Sequence, residues 1–254
     1  MRRMPQLNQL VDYCNDLLRI GEIADWPNAL NGLQIENSGA VTRLGAAVDA
    51  STRTIGAAVE RGINFLIVHH GLFWPGLQPI TGGRRRMLEC AFTHDLALYS
   101  AHLPLDLHSS FGNNAQLIAA LALENAEPFC EEKGQAIGLK VKAQVSREEL
   151  KRKLEHSLGG SVKVFAAGPE QTGTIGLISG GAGSEIYAVA GEGIDTFVTG
   201  EAPHWAGVAA EELGINLLLG GHYATETFGV KALATHLSDR FDLPWEFLDF
   251  PTGL

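Results

Sequence analysis

GINFLIVHH at residues 62–70 and GINLLLGGH at residues 214–222 are two copies of one pattern: Gly-Ile-Asn, a short apolar run and a terminal histidine. One constant shift places Gly62 over Gly214, Asn64 over Asn216 and His70 over His222. A short apolar run of this kind reads as a buried strand, and a strand covered on both faces belongs to a parallel sheet with helices on either side. Upstream of the first copy, Arg43 to Val48 reads as a strand and Thr54 to Arg61 as a helix, which completes a βαβ unit. The same shift lays Asp195 to Thr199 over Arg43 to Ala47, Glu201 over Asp49, and Ala209 and Ala210 over Ala57 and Ala58, so the whole unit is duplicated. In α/β sheets functional groups gather just beyond the carboxyl ends of the strands, where both copies carry their histidines.

Working outward, Leu7, Leu10, Val11, Cys14, Leu17 and Leu18 recur at helical spacing and predict an amphipathic helix over residues 6–20, with Pro5 near its start and Gly21 as its stop. Between the copies, Leu96 to Ser100 reads as a strand leading into AHLPLD, and Asn113 to Leu123 as a helix. From Ile137 the chain reads strand, a helix opened by the capping box Ser146-x-x-Glu149, then strands at Val162 to Ala166 and Thr174 to Ser179. Ala224 to Leu237 reads as a helix and Trp245 to Phe250 as a closing strand. The expected fold class is α/β, with two three-layer α/β domains built on mixed sheets and related by the βαβ repeat. Residues 1–126 plus 223–254 form the first domain in this reading and 127–222 the second, with a metal site in the cleft between them.

A chain of 254 residues with 45% hydrophobic content can bury a sizeable core. Its apolar runs fall far short of the ~20 residues of a membrane-spanning helix, and MRRMPQLNQL lacks the apolar core of a signal peptide. These features predict a cytoplasmic protein with no membrane partner. A net charge of −10 disfavours broad, charge-driven binding to nucleic acid. Single-stranded nucleic acid held by Arg84, Arg85, Arg86 and aromatic side chains stays open as a less favoured reading. Cys14, Cys90 and Cys130 are odd in number and far apart, which suits buried free thiols rather than a disulfide framework.

The chemistry-bearing residues cluster at three predicted strand ends. Side chains alternate along an extended chain, so His69 and His70 are expected on opposite sides, poorly placed to chelate one ion together but able to serve two neighbouring ions. His222 and Glu226 are four apart where a strand gives way to a helix, the spacing that brings two ligands onto one helical face. His102 and Asp106 follow the third strand in HLPLD, read as an extended loop stiffened by Pro104. Each has an ordinary explanation: a solvent-facing His pair, a carboxylate at a helix start, an aspartate capping a turn. The joint pattern is harder to dismiss, because four of only nine histidines fall at these ends with another His or a carboxylate within four positions. Of the remaining features, Gly180 to Glu185 reads as a tight turn with a packing role ahead of phosphate binding. The arginine triplet 84–86 reads as a solvated helix face ahead of a polyanion contact at a cavity mouth. Phe73 and Trp74 read as ring-stacking groups or as core and subunit contacts.

The segments NGLQ (31–34), VHHGLFW (68–74), SAHLPLD (100–106), TGE (199–201) and GHYATE (221–226) closely resemble the Nif-three-like dinuclear-metal proteins, often labelled GTP cyclohydrolase I type 2. The resemblance runs from about Leu7 to the C-terminus and matches the short form, without the inserted domain of longer members. It implies that His70, Asp106 and Glu226 hold one ion, that His69, His222 and Glu226 hold the other, and that Glu226 bridges them. It also implies a toroidal homohexamer with its metal sites facing an internal cavity, and hydrolysis of a small-molecule substrate, a nucleotide or related heterocycle. Many relatives have Thr-Asn in the loop HTNLD where this chain has Leu103-Pro104, a change that leaves the ligands in place and alters local polarity. Imidazole and carboxylate donors without thiolate suit two divalent ions per subunit, Zn, Mn, Fe or Co. Glu201, His204 and His102 are the candidates for supporting the ligands or moving protons. The alternative reading is a non-catalytic hexamer that binds or handles metal, or an interaction scaffold.

Overall fold

Both Gly-Ile-Asn segments end a helix and start a strand in the computed structural model, which describes residues 4–254. Gly62 and Gly214 each have φ of +66°, the left-handed conformation that terminates a helix and costs glycine nothing. The closing bonds repeat as well: Ile63 N–H donates to Ala58 O (2.9 Å), and Ile215 N–H donates to Ala210 O (3.1 Å). Both isoleucines are buried. The asparagines then clamp neighbouring chain. Asn64 accepts from Thr42 N–H (2.9 Å) and donates to Ala40 O (2.8 Å), while Asn216 accepts from Gly168 N–H (3.0 Å) and donates to Pro169 O (2.8 Å).

The first half of the chain runs α1 (Leu7–Leu18), β1 (Gly32–Ile35), β2 (Leu44–Asp49), α2 (Thr52–Glu60), β3 (Phe65–His70), α3 (Gly82–Thr93), β4 (Ala97–Ser100), α4 (Leu103–Asp106) and α5 (Asn113–Ala120). Next come β5 (Glu127–Glu132), β6 (Gln135–Lys142), α6 (Arg147–Leu158), β7 (Lys163–Ala166) and β8 (Thr174–Ile178). A 3-10 turn at Ala182–Glu185 leads into α7 (Ile186–Gly191), β9 (Thr196–Thr199), α8 (His204–Leu213), β10 (Asn216–Leu219), α9 (His222–Thr225), α10 (Thr227–Phe241) and β11 (Trp245–Phe247). These elements form two compact units, one of Met1–Leu105 with Gly229–Phe250, the other of Asp106–Phe228 with Pro251–Leu254.

In the first unit the sheet order is β1-β4-β3-β2-β11, with β1 antiparallel to β4 and the remaining pairs parallel. Every residue of β3 is buried. Leu66 and Val68, with Ala47 and Leu98, pack against Ile55 and Ala58 of α2 and Met87 and Ala91 of α3. On the opposite face Phe65 stacks on Tyr99, whose hydroxyl donates to Asn15 Oδ1 of α1 at 2.9 Å. Burying each of these large side chains contributes about 1.5–3 kcal/mol.

The second unit has the order β5-β6-β8-β9-β10-β7, again mixed, with β8, β9 and β10 parallel neighbours. Alternation along the strands sends Ile175, Leu177, Val198 and Leu218 toward α5 and α6, and Ile178, Phe197 and Leu217 toward α7 and α8. The chain is thus mixed α/β with two mixed sheets, each carrying one copy of the repeat, β2-α2-β3 and β9-α8-β10. Ser146 caps α6 as its pattern requires, accepting from Glu149 N–H at 3.1 Å.

Four details depart from the sequence reading. The chain enters the second unit after Leu105 rather than near residue 126, and it returns after Phe228 rather than at 222. Helix periodicity shows that Leu117 and Leu121 are buried but not which sheet they cover; here they pack with β8 and β9, and Asn114 bonds Ile137 O and Ser179 N–H. HLPLD is not extended: Leu103–Asp106 is a helical turn, where Pro104 sits early enough that its missing N–H costs nothing. Strands β1 and β5 were hidden in irregular and charged sequence. Cys14 and Cys130 are buried, with burial pushing their thiols up to about 12 and about 11, whereas Cys90 is half-exposed. No helix of the described residues is long and apolar enough to cross a membrane.

Candidate metal centre

His69 and His70 are the last residues of β3, 0% and 7% exposed. His69 Nδ1 lies 2.9 Å from Ala101 O, a carbonyl that can only accept, so the proton sits on Nδ1 and Nε2 is the basic nitrogen. His70 Nδ1 donates to Asp49 Oδ1 at 2.9 Å, because Asp49 ends β2 directly opposite His70 in the parallel ladder. His102, also buried, donates from Nδ1 to Asp25 Oδ1 at 2.9 Å. Asp25 further accepts from Leu103 N–H (3.0 Å) and Asn31 Nδ2 (2.7 Å). The three rings draw together: His69 to His70 centroids are 4.9 Å apart and His69 to His102 are 4.8 Å apart, while Trp74 stacks on His70 at 4.7 Å. Each imidazole offers one nitrogen within 4.8 Å of the others. The alternation argument, which sent His69 and His70 to opposite sides, does not hold here. The strand ends at His70, and each ring is aimed by an acceptor on a neighbouring strand end rather than by the pleat.

In the second unit His222 opens α9 and Glu226 caps it. His222 Nδ1 is 3.0 Å from Glu201 Oε1 and Nε2 is 3.1 Å from Glu226 Oε1. The shift that lays His222 over His70 lays Glu201 over Asp49, so the duplicated βαβ unit carries a duplicated histidine–carboxylate bond. Burial alone would lower the His222 pKa, but the hydrogen bonds and charges of Glu226 and Glu201 outweigh it and raise it to about 9. An imidazole held at both nitrogens by carboxylates is favoured as the cation. His222 Nε2 and Glu226 Oε1 are an imidazole and a carboxylate donor set side by side, a pairing that fits a divalent metal.

Two glycines make room for this arrangement. Gly180, at φ +68°, lies so close that a Cβ would collide with Glu226 Oε1. A Cβ on Gly200 would stand 2.6 Å from Gly180 O and 2.7 Å from His222 Cα. Gly180 O accepts from the N–H groups of Gly200 and Glu201, both at 2.9 Å, which ties the turn to the residues that follow β9. Asp106, at the end of α4, accepts from Asn113 Nδ2 at 2.7 Å. His204 stands apart: it is exposed at the start of α8 and lines a separate cavity of about 250 Å³ with Lys163, Phe165 and Glu211.

Sequence reasoning passed over Asp49, Asp25 and Asn113. Asp49 was within reach, because the repeat aligns it with Glu201. Asp25 and Asn113 carried no signal, since both act through contacts of the folded chain.

Asp25 yields a stability prediction. Burial would raise its pKa, but the His102 hydrogen bond and charge, with Asn31 and the Trp26 N–H, hold it below its ordinary value. A depressed carboxylate stabilises the fold fully above its unfolded value of about 3.9 and loses that contribution as pH falls through the lower folded value. Asp25→Asn is therefore expected to cost about 1–3 kcal/mol at pH 7. The gap should close below a pH of about 4. Urea midpoints at both pH values check this; a gap that stays constant would show that charge plays no part.

The model of the family described as Duf34/NIF3 (NGG1p interacting factor 3) matches residues 5–252. A Deinococcus radiodurans protein named GTP cyclohydrolase 1 type 2 homolog is 39% identical over 249 residues, which cover 97% of this chain and 94% of that one. An Archaeoglobus fulgidus protein of the same name is 36% identical over 250 residues, covering 98% and 99%. Among solved structures, TTHA1606 from Thermus thermophilus superimposes with a TM-score of 0.90 at 40% identity, covering 98% of this chain and 100% of that one.

Proposed function

Because the chain belongs to the Duf34/NIF3 family, we propose that it binds two divalent ions through His69, His70, Asp106, His222 and Glu226 and acts as a metal-dependent hydrolase on a nucleotide or related heterocycle. The observation that carries this reading is the shared support of the imidazoles. His69, His70, His102 and His222 each direct Nδ1 at an oxygen acceptor, namely Ala101 O, Asp49, Asp25 and Glu201. Metal-binding histidines characteristically hold the remote nitrogen in this way, which fixes the tautomer and raises the basicity of the other nitrogen.

In this reading Glu226 would be a ligand common to both ions, Asp49 and Glu201 orient His70 and His222, and Asn113 orients Asp106. His102 gives its Nδ1 proton to Asp25, which leaves Nε2 as the remaining nitrogen of a ring that lies beside His69 and His70, and in this reading it is the group that relays a proton. Two divalent ions in such a site supply Lewis acidity for hydrolysis and lower the pKa of water. The donors suit Zn, Mn, Fe or Co. The name that the relatives carry makes GTP the first substrate to try. The assembly proposed with it is a homohexamer, to be checked by native mass.

Protein purified without chelator or heat is expected to carry two equivalents of divalent metal per chain and to turn over a member of a nucleotide panel with Mn, Fe, Zn or Co added. Metal at that stoichiometry with no turnover would leave the non-catalytic metal-handling alternative. Absence of metal under all four would remove the proposal.

A further inference from the structure

One cavity of the first unit, about 530 Å³, is not used by the metal ligands alone. Its size falls within the range of small-molecule sites. Its lining includes His70 and Asp49, together with Trp74, Thr81, Gly83 and Arg84. The structure separates the three arginines that the sequence left equivalent. Arg85 and Arg86 are exposed, and Arg85 lies 4.0 Å from Glu89. Arg84 is half-buried; its Nε is withdrawn from solvent and meets no acceptor among the described residues. Its guanidinium carbon is 5.9 Å from the Phe73 ring centroid, which holds the side chain in place without neutralising it. The first turn of α3 reaches the same wall through Thr81 and Gly83, and no side chain caps it.

Only the Nε of Arg84 is withdrawn from water; the rest of its half-exposed guanidinium can meet an anion in the cavity, and its planar fork matches a phosphate. We infer that this cavity seats the phosphate group of a small-molecule substrate, with Arg84 as the residue that binds it and His70 on the same wall as the reacting end. Only the identity of the reacting end rests on the metal-centre reading. The subsite itself stands on Arg84 and the cavity.

The test is calorimetric binding of GMP, guanosine and inorganic phosphate to the purified full-length protein, with metal content measured on the same samples. Wild type is expected to bind GMP more tightly than guanosine by about tenfold or more, and Arg84→Gln to erase that preference. Arg85→Gln should bind as wild type does. Arg84→Lys, which keeps the charge but loses the fork, should show an intermediate loss and serves as the second variant if Arg84→Gln does not fold. Unchanged GMP preference in Arg84→Gln, or no preference in wild type, would overturn the subsite. Protein that carries no metal yet shows the Arg84-dependent preference would instead count against the metal-centre reading and leave the subsite standing.

Discussion

Glu226→Ala protein is expected to bind divalent metal on the order of 100-fold more weakly than wild type and to lose the second equivalent altogether. Glu226 is 3% exposed and its Oε1 lies 3.1 Å from His222 Nε2. If it bridges two ions, its removal strips a ligand from both, whereas removal of any other proposed ligand strips only one. The loss also takes away the carboxylate that contributes most to the raised pKa of His222. Equilibrium dialysis against Zn and Mn, followed by elemental analysis, provides the measurement. His204→Ala is the control and should retain both ions, because His204 is exposed and lines a different cavity. Two equivalents retained by Glu226→Ala would end the bridging assignment.

Gly180→Ala should weaken metal binding nearly as much, although residue 180 is no ligand. Two costs combine there. Alanine at φ +68° is strained by about 1–2 kcal/mol, and the new methyl collides with Glu226 Oε1 and forces the carboxylate aside. Gly134→Ala separates the two effects, because Gly134 has a similar φ of +78° and open space where a Cβ would go. Both variants should lose comparable backbone stability in urea, while only Gly180→Ala loses metal. Equal metal content in the two would show that Glu226 can move without consequence.

Much of this was legible in the chain because the physics is local. Helix α1 and the capped α6 follow from residue spacing and Ser146, and the βαβ copies follow from Gly62, Asn64, Gly214 and Asn216, whose types meet backbone needs a few positions away. The proposed ligands stood out as imidazoles and carboxylates after strands. What stayed hidden is what depends on distant contacts: the sheet that α5 covers, Asp25 beneath His102, and the isolation of Arg84 from its two neighbours. Alternation, a rule for strand interiors, failed at His69 and His70 because a terminal residue answers to its hydrogen-bond acceptor.

The repeated histidine–carboxylate bond was kept with unlike residues, aspartate in one copy and glutamate in the other. His70 ends a strand, and a short side chain reaches it at 2.9 Å; His222 follows two glycines into a helical turn, and one more methylene spans to 3.0 Å. What the two copies share is therefore a reach rather than a letter. Counting identities between the halves understates their kinship, and ancestral duplications elsewhere would be better sought by matching acceptor-to-ring spacing than by matching side-chain names.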